Sequence, residues 1–506
     1  MPTPITSTTI QSPGFRGLFT QKQNITIEPD CALVANNCVF DKNGRLAARK
    51  GYNKLTSSAL TGTPDIEQLF EYEKDKDTSF IISTATVSSS KKIHHGTSTL
   101  TDITGSISPS ANNWQFVNFN GKVVGVQQGN APIVWSGTSN FAAISAASGS
   151  VPQGNCVASV YGRLFVADTN KTDIKFCAQL DETHWSTGGG TIDTAIYWPN
   201  GTDFIVAIAE FNNQLVVFGR HSILIWSGMA SPTTTPTLSD IIEGVGCIAR
   251  DSVQNVGDDL IFLDDSGIRS LVRSLELKSQ PLTELSKNVR LDLRLSVELV
   301  SDKGKIKSAH DPIDGFYLLV TPGAVDETWV FDTKQPLEDR SLRVTRWDSV
   351  AINSIYYSAI DELLYFGGEG TIGKYDEYKD NGNAYTFDFE SCWTDFGNTN
   401  LKVFKTIKTT TIGGSESTVS VKWKVDFDDS GESASYTLPN LTAHEWGTAE
   451  FGTAEYGTSA NSVQMNNISA SRTGQHLSFG LSVNIDGNPF AIQKMDILAK
   501  TGRINR

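Results

Sequence analysis

The chain has 506 residues, with 42 basic and 56 acidic side chains, a net charge of −14, and a charged fraction of only 19%. So little charge argues against a coiled coil or a disordered acidic tail, and the acidic balance argues against a tight grip on nucleic acid, whose phosphates are held by basic surfaces. Ser, Thr, Asn and 43 Gly take the place of charge, which points to an all-β protein of strands and tight turns, long enough to bury its cores without metal or disulfides.

In chain order, the opening MPTPITSTTIQSPGF lacks the basic and apolar stretches of a secretory signal. No run of 18 apolar residues follows anywhere, so no membrane span is expected. Residues 1–60 read as an N-terminal arm with opening strands. From 61 to 380 one phrase recurs: apolar strand, tight turn, apolar strand. Its copies begin at Ile66, Trp114, Val157, Ile205, Ser252, Ile306 and Ile352, at intervals of 43 to 54 residues. That is the length of a four-stranded blade, and the repetition predicts a β-propeller of six to seven blades. The first turn of each copy carries residues that accept positive φ, as at Asn120-Gly121, Tyr161-Gly162, Asn212-Asn213, Gly257-Asp258 and Asp314-Gly315.

Near 281–299 the pattern changes to helical spacing, with Leu282, Leu285, Val289 and Leu293 on one face and Thr283 as N-cap. This predicts an inserted amphipathic helix whose polar face carries Lys287, Arg290 and Arg294. That face is a solvated surface or a contact for an acidic partner. Residues 381–506 alternate polar and apolar positions over long runs, which predicts a C-terminal, sandwich-like β-domain. Inside it, Glu-aromatic-Gly-Thr recurs every five residues, and the loop 445–458 is expected either to present Trp446, Phe451 and Tyr456 to a neighbouring subunit or to pack on its own domain.

Signatures of chemistry are sparse. The six cysteines, Cys31, Cys38, Cys156, Cys177, Cys247 and Cys392, form no CxxC pair and read as buried free thiols, with a Cys31–Cys38 bridge as the alternative. The seven histidines make no close metal spacing. Gly244-Val245-Gly246-Cys247-Ile248-Ala249 fits a dinucleotide fingerprint on paper, but strand and turn residues follow where a phosphate-binding helix must start, so a turn between blades is expected. Asp426 to Gly431 resembles the start of a calcium loop, yet the twelfth position is Thr437 and not a bidentate Glu. Asp264, Asp265, Asp361 and Glu362 are the carboxylates a glycosidase would draw on, and all sit where hairpin turns need Asp or Glu anyway. No catalytic, cofactor-binding or metal-binding residue is assigned, and no enzyme is expected.

Residues 13–52 contain Gly17-Leu18, Ala32, Asn36-Asn37, Asp41-x-Asn43-Gly44-x-Leu46 and Arg49-x-Gly51-Tyr52. This arrangement resembles the N-terminus of the tail nozzle, or tail tubular protein B-type, family of short-tailed double-stranded DNA phages. The phrase GVGCIARDSVQNVGDDLIFLDDSGIRSL at 244–271, the aromatic repeat and Arg472-Thr473-Gly474 in the last β-domain extend the resemblance over most of the chain. It implies a structural virion protein, assembled in the host cytoplasm into a homohexameric ring below the portal. Its implied partners are an adaptor or head-to-tail connector protein, tail fibre or needle proteins, and viral DNA passing through the lumen without tight binding. Arg45, Arg49, Gly51 and Tyr52 carry the N-terminal likeness and are the implied interface residues, with ordinary strand-and-turn structure as the other reading. The alternatives are a carbohydrate- or receptor-binding propeller and, less favoured, a glycoside hydrolase.

Overall fold

The structure is a computed structural model that describes residues 5–21, 28–76, 78–198, 201–233, 236–276, 284–323, 327–348, 350–428, 430–439 and 463–502. Its architecture is an all-β propeller with further sheets. Six small sheets form blades. Blade 1 comprises strands Ile66–Asp75, Thr78–Val87, Ser90–His95 and Thr101–Asp102, and blade 2 comprises Gln115–Phe119, Lys122–Val126, Ile133–Trp135 and Ala142–Ala143. Blade 3 runs from Val157–Val160 to Gly190–Asp193, blade 4 from Ile205–Phe211 to Thr237–Glu243, and blade 5 has three strands, Gln254–Val256, Asp259–Asp264 and Gly267–Ser270. Position 6 in the ring is filled by Lys307–Asp311, Phe316–Thr321, Glu327–Asp332 and Arg343–Trp347, which begin a nine-stranded sheet. Blade 7 holds Ser354–Ser358, Leu363–Gly368 and Thr371–Asp376. The first strands touch one another around a closed circuit, blade 4 reaching blade 5 through the short turn Arg250–Ser252.

The ring strands are apolar on both faces because each blade packs between two others. Leu215, Val216, Val217 and Phe218 are all fully buried, two facing the blade 3 core and two facing the blade 5 core. The hairpin turns have the expected backbone. Asn120-Gly121 and Tyr161-Gly162 take φ of 47° and 65°, and of 49° and 66°, the paired left-handed values of a turn that matches strand twist.

The N-terminal arm is not a separate layer. Gly51–Lys54 is the fourth strand of blade 7, paired antiparallel with Gly373 to Asp376, so the first part of the propeller to be made fastens to the last. Ile5–Gln11 pairs along the last strand, Phe490–Thr501, and Ala32–Asn36 joins the nine-stranded sheet beside Arg343–Trp347 and Tyr385–Ser391. The C-terminal β-domain is two sheets. One is the far end of the nine-stranded sheet (Tyr385–Ser391, Leu477–Ile485, Thr418–Val425, Glu432–Thr437), and the other is a seven-stranded sheet centred on Lys402–Gly413 and Phe490–Thr501. One core cluster spans both sheets and continues into blades 5 and 6, joining Val421, Phe479 and Ile497 to Leu263, Phe331 and Leu293.

The inserted helix is shorter than the spacing predicts. It spans Arg290–Leu299, preceded by a single turn of 3-10 helix, Lys287–Val289, and a further short helix, Leu271–Glu276, follows blade 5. Leu285, Val289 and Leu293 are buried as expected, while Leu282 and Thr283 lie outside the described residues. Arg290, Arg294 and Lys287 pair with Glu284, Glu298 and Asp339.

Candidate functional site at the propeller axis

The run from Gly244 to Ala249 is the expected turn between blades, and Gly246 is needed there, since a Cβ would lie 2.3 Å from the Arg220 carbonyl. It delivers Arg250 and Asp251 to the centre of the ring. Arg250 is buried; its Nη1 donates to the carbonyls of Asn155 at 2.8 Å and Asn113 at 3.2 Å, and its Nη2 to that of Trp114 at 3.3 Å. Nε and Nη2 also grip both oxygens of Asp251, at 2.7 and 2.8 Å. Lys307, at the start of the inner strand of position 6, donates to Asp251 at 2.5 Å and to Gln68 of blade 1 at 2.6 Å. One ionic cluster therefore ties blades 1, 2, 3, 5 and 6 together. Burial raises the Asp251 carboxyl, but Arg250 and Lys307 outweigh it and bring it down to about 2; burial lowers the Lys307 ammonium, and Asp251 only partly restores it.

Chemically this cluster is a clamp. Every carboxylate oxygen faces a cation, and a charged group so held is unavailable for proton transfer. Blades 2 and 5 stand three places apart in the ring, so a guanidinium that bridges them leaves no passage for a nucleic-acid duplex through the propeller's own centre. Several cavities lie elsewhere among the described residues, two of them on the ring. One of about 280 Å³ opens on the inner strands of blades 5 to 7, where Asn255, His310 and Tyr357 have side chains with no hydrogen-bond partner among the described residues. Burial pushes the His310 imidazole down, so it is neutral at pH 7. The other, of about 490 Å³, lies between the helix Arg290–Leu299 and the blade 5 turn, over Leu263, Leu293 and Val297.

The residues singled out from the sequence fall in three groups. Arg49 and Gly51, for which a subunit interface and ordinary strand-and-turn structure are the two readings, are buried inside the chain. Arg49 is 1% exposed, grips both oxygens of Asp380 at 2.6 and 2.8 Å, and lies 4.1 Å over the Tyr385 ring. A Cβ on Gly51 would meet the Lys379 carbonyl at 1.9 Å. Arg45 and Tyr52, half-buried, also use their polar groups internally: Arg45 pairs with Asp41 at 2.7 Å, and Tyr52 bonds Asp380 and Thr371, both at 3.1 Å. Arg49, Gly51 and Tyr52 stitch the arm to the ring, while Arg45 bonds within the arm and to Gln493 of the last strand at 3.2 Å. Trp446, Phe451 and Tyr456 lie outside the described residues.

Asp264 accepts from Arg269 and Ser266 of its own hairpin, Asp265 pairs with Arg220 of blade 4, and Asp361 takes the Tyr365 hydroxyl, so three of the four glycosidase candidates are already engaged. The six cysteines are buried and unbridged, and Asp426-Phe427 is a hairpin turn with φ of 51° and 64°. Among the described residues no group of His, Cys, Asp and Glu is placed to hold a metal ion, and no helix is long and apolar enough to cross a membrane. The Arg250–Asp251–Lys307 cluster went unread in the sequence, because the inner strand KSAHD is buried yet has one apolar residue among polar ones and gives no sign of its burial.

No family model matches the sequence, and no curated protein matches it. Solved structures with a similar shape include PorZ, a bacterial surface component of the type-IX secretion system of Porphyromonas gingivalis, at 12% identity over 64% of this chain and 37% of that one, with a TM-score of 0.35. Another is the extracellular domain of a hybrid two-component system of B. thetaiotaomicron, at 11% identity over 80% and 58%, TM-score 0.41. A third is Hsv2 of Kluyveromyces lactis, at 14% identity over 56% and 98%, TM-score 0.30. The chain spans less than two thirds of the first two, and at these identities and scores the likenesses carry no argument about function.

Proposed function

We propose that the protein is a structural subunit of a phage tail, a nozzle that assembles as a homohexameric ring and continues the DNA-ejection channel below the portal and adaptor. The observation that carries this reading is the continuity of the nine-stranded sheet. It makes the propeller and the C-terminal β-domain one hydrogen-bonded body, braced by the axial ionic cluster and fastened by the N-terminal arm. Such a body transmits load without bending at a linker, which suits a wall segment. In this reading DNA runs through the lumen between subunits, not through a propeller, and the net charge of −14 keeps phosphate from sticking to the wall. The adaptor binds above, and fibre or needle proteins bind below.

The test is the mass and shape of the purified chain. The reading expects a ring near six times 55.0 kDa, with a central channel wide enough for duplex DNA in electron micrographs. A stable monomer that binds glycans refutes it. That outcome would instead favour a carbohydrate- or receptor-binding propeller, for which Asn255, His310 and Tyr357 around the 280 Å³ cavity, whose side chains have no hydrogen-bond partner among the described residues, are the specific support.

A further inference from the structure

We propose that the outer face of the seven-stranded sheet docks on the acidic turn end of the propeller of a second copy of this chain, a contact that rests on the ring reading above. The face is read from register, because residues directly opposite in antiparallel strands point the same way. Lys494 lies opposite Thr410 and Gln11, Lys408 opposite Asp496 and Asn467, and Lys500 opposite Ile5, while Lys405 sits in the bulge between Phe404 and Thr406. Four lysines thus share a face with one carboxylate. The two outer strands, Ile5–Gln11 and Val463–Ser469, bear no charge. Asp496 is already held by Lys494 at 3.0 Å and by the Thr9 hydroxyl at 2.6 Å. Lys405 and Lys500 have no carboxylate partner among the described residues, and Lys408 shares Asp496 with Lys494. Ile5, Val463 and Met465 on these outer strands are more than half exposed.

On a chain of net charge −14 such a face needs an acidic counterpart, and the chain itself provides one. The turn between first and second strands lies at the same end of the ring in every blade. In blades 4 and 5, position 6 and blade 7, these turns and the strand ends beside them carry Glu210, Asp258, Asp314, Asp361 and Glu362 and no cation of their own; Lys50 reaches in, 3.6 Å from Asp314, and Lys334 donates to the Asp314 carbonyl. Ile313 and Ile360 stand exposed among them. A basic face dotted with apolar side chains thus matches an acidic end dotted with apolar side chains. The two patches differ, so the contact is head-to-tail, the kind that closes a ring of identical subunits.

Charge reversal tests it with the full chain, read by native mass spectrometry and sedimentation. Lys408→Glu with Lys500→Glu, and separately Asp258→Lys with Glu362→Lys, should each raise the concentration needed for assembly about ten-fold or more, since several pairs turn from attraction to repulsion. All four residues are exposed or half-exposed, and unchanged melting curves would confirm that both variants fold. The quadruple variant, in which both faces are reversed, should assemble again. Wild-type assembly that survives in both double variants, or a quadruple variant that stays apart, overturns this contact and leaves the ring reading standing. A wild-type chain that is monomeric at every concentration overturns both. Loss of duplex-DNA retention in Lys408→Glu with Lys500→Glu, with assembly unchanged, assigns the face to a polyanion and overturns the proposal.

Discussion

Replacing Arg250 by Met removes the side chain that bridges blades 2, 3 and 5. Three carbonyls, those of Asn113, Trp114 and Asn155, lose a charged donor, and buried Asp251 keeps only Lys307. Removing one partner from a buried, hydrogen-bonded ion cluster costs about 3–5 kcal/mol. A single cooperative unit of 506 residues unfolds with an entropy near 2.1 cal/mol/K per residue, so the melting midpoint should fall by about 3–5 °C. Differential scanning calorimetry of the full chain reads this directly. The triple variant Arg250→Met, Asp251→Leu, Lys307→Met is the control, because exchanging a whole buried ion cluster for apolar groups of similar size is often near neutral. It should recover most of the lost midpoint. A fall of less than about 1 °C in the single variant, or a triple variant worse than the single, would refute the clamp.

Acid should weaken the same cluster: the Asp251 carboxyl is depressed in the fold to about 2, so its stabilisation is whole above the unfolded value of about 3.9 and is lost as pH falls through 4 toward 2, which urea midpoints measured across that range will show. Arg49→Ala leaves Asp380 without its two-pronged partner and uncovers the Tyr385 ring, and should cost about 3–5 kcal/mol in chemical denaturation. In the native chain at pH 8 a thiol reagent should label none of the six buried cysteines, whose thiols are pushed up to about 11 for Cys177 and about 12 for Cys156, Cys247 and Cys392, whereas all six should react in denaturant.

The blades were legible because their signals are local. Asn120-Gly121 or Tyr161-Gly162 between two apolar runs specifies a hairpin whatever surrounds it, and seven such phrases at near-constant spacing specify a ring. The closing strand Gly51–Lys54 was not legible, because its partner lies more than 300 residues away and nothing in GYNK marks the pairing. Arg49 illustrates the same limit: a lone arginine in a turn-rich segment looks like surface, and only the fold brings Asp380, Tyr385 and Trp347 around it. The helix was read too long because Leu282, Leu285, Val289 and Leu293 keep helical spacing in the sequence, while Lys287–Val289, just before Arg290, forms a 3-10 turn. The axial cluster was hidden in the most predictable part of the chain. Arg250, Asp251 and Lys307 each look like an ordinary polar residue at a strand end, and their meeting follows from the closure of the ring.

The central claim is that this chain is a wall segment of a tail channel. It is tested most directly by reconstructing purified phage particles of the strain that encodes it. The account predicts six copies in a ring at the distal end of the tail tube, with propellers around a shared lumen, and particles lacking the protein that leak or fail to retain DNA. Virions without the protein, or copies standing as separate spikes with no lumen between them, would contradict it.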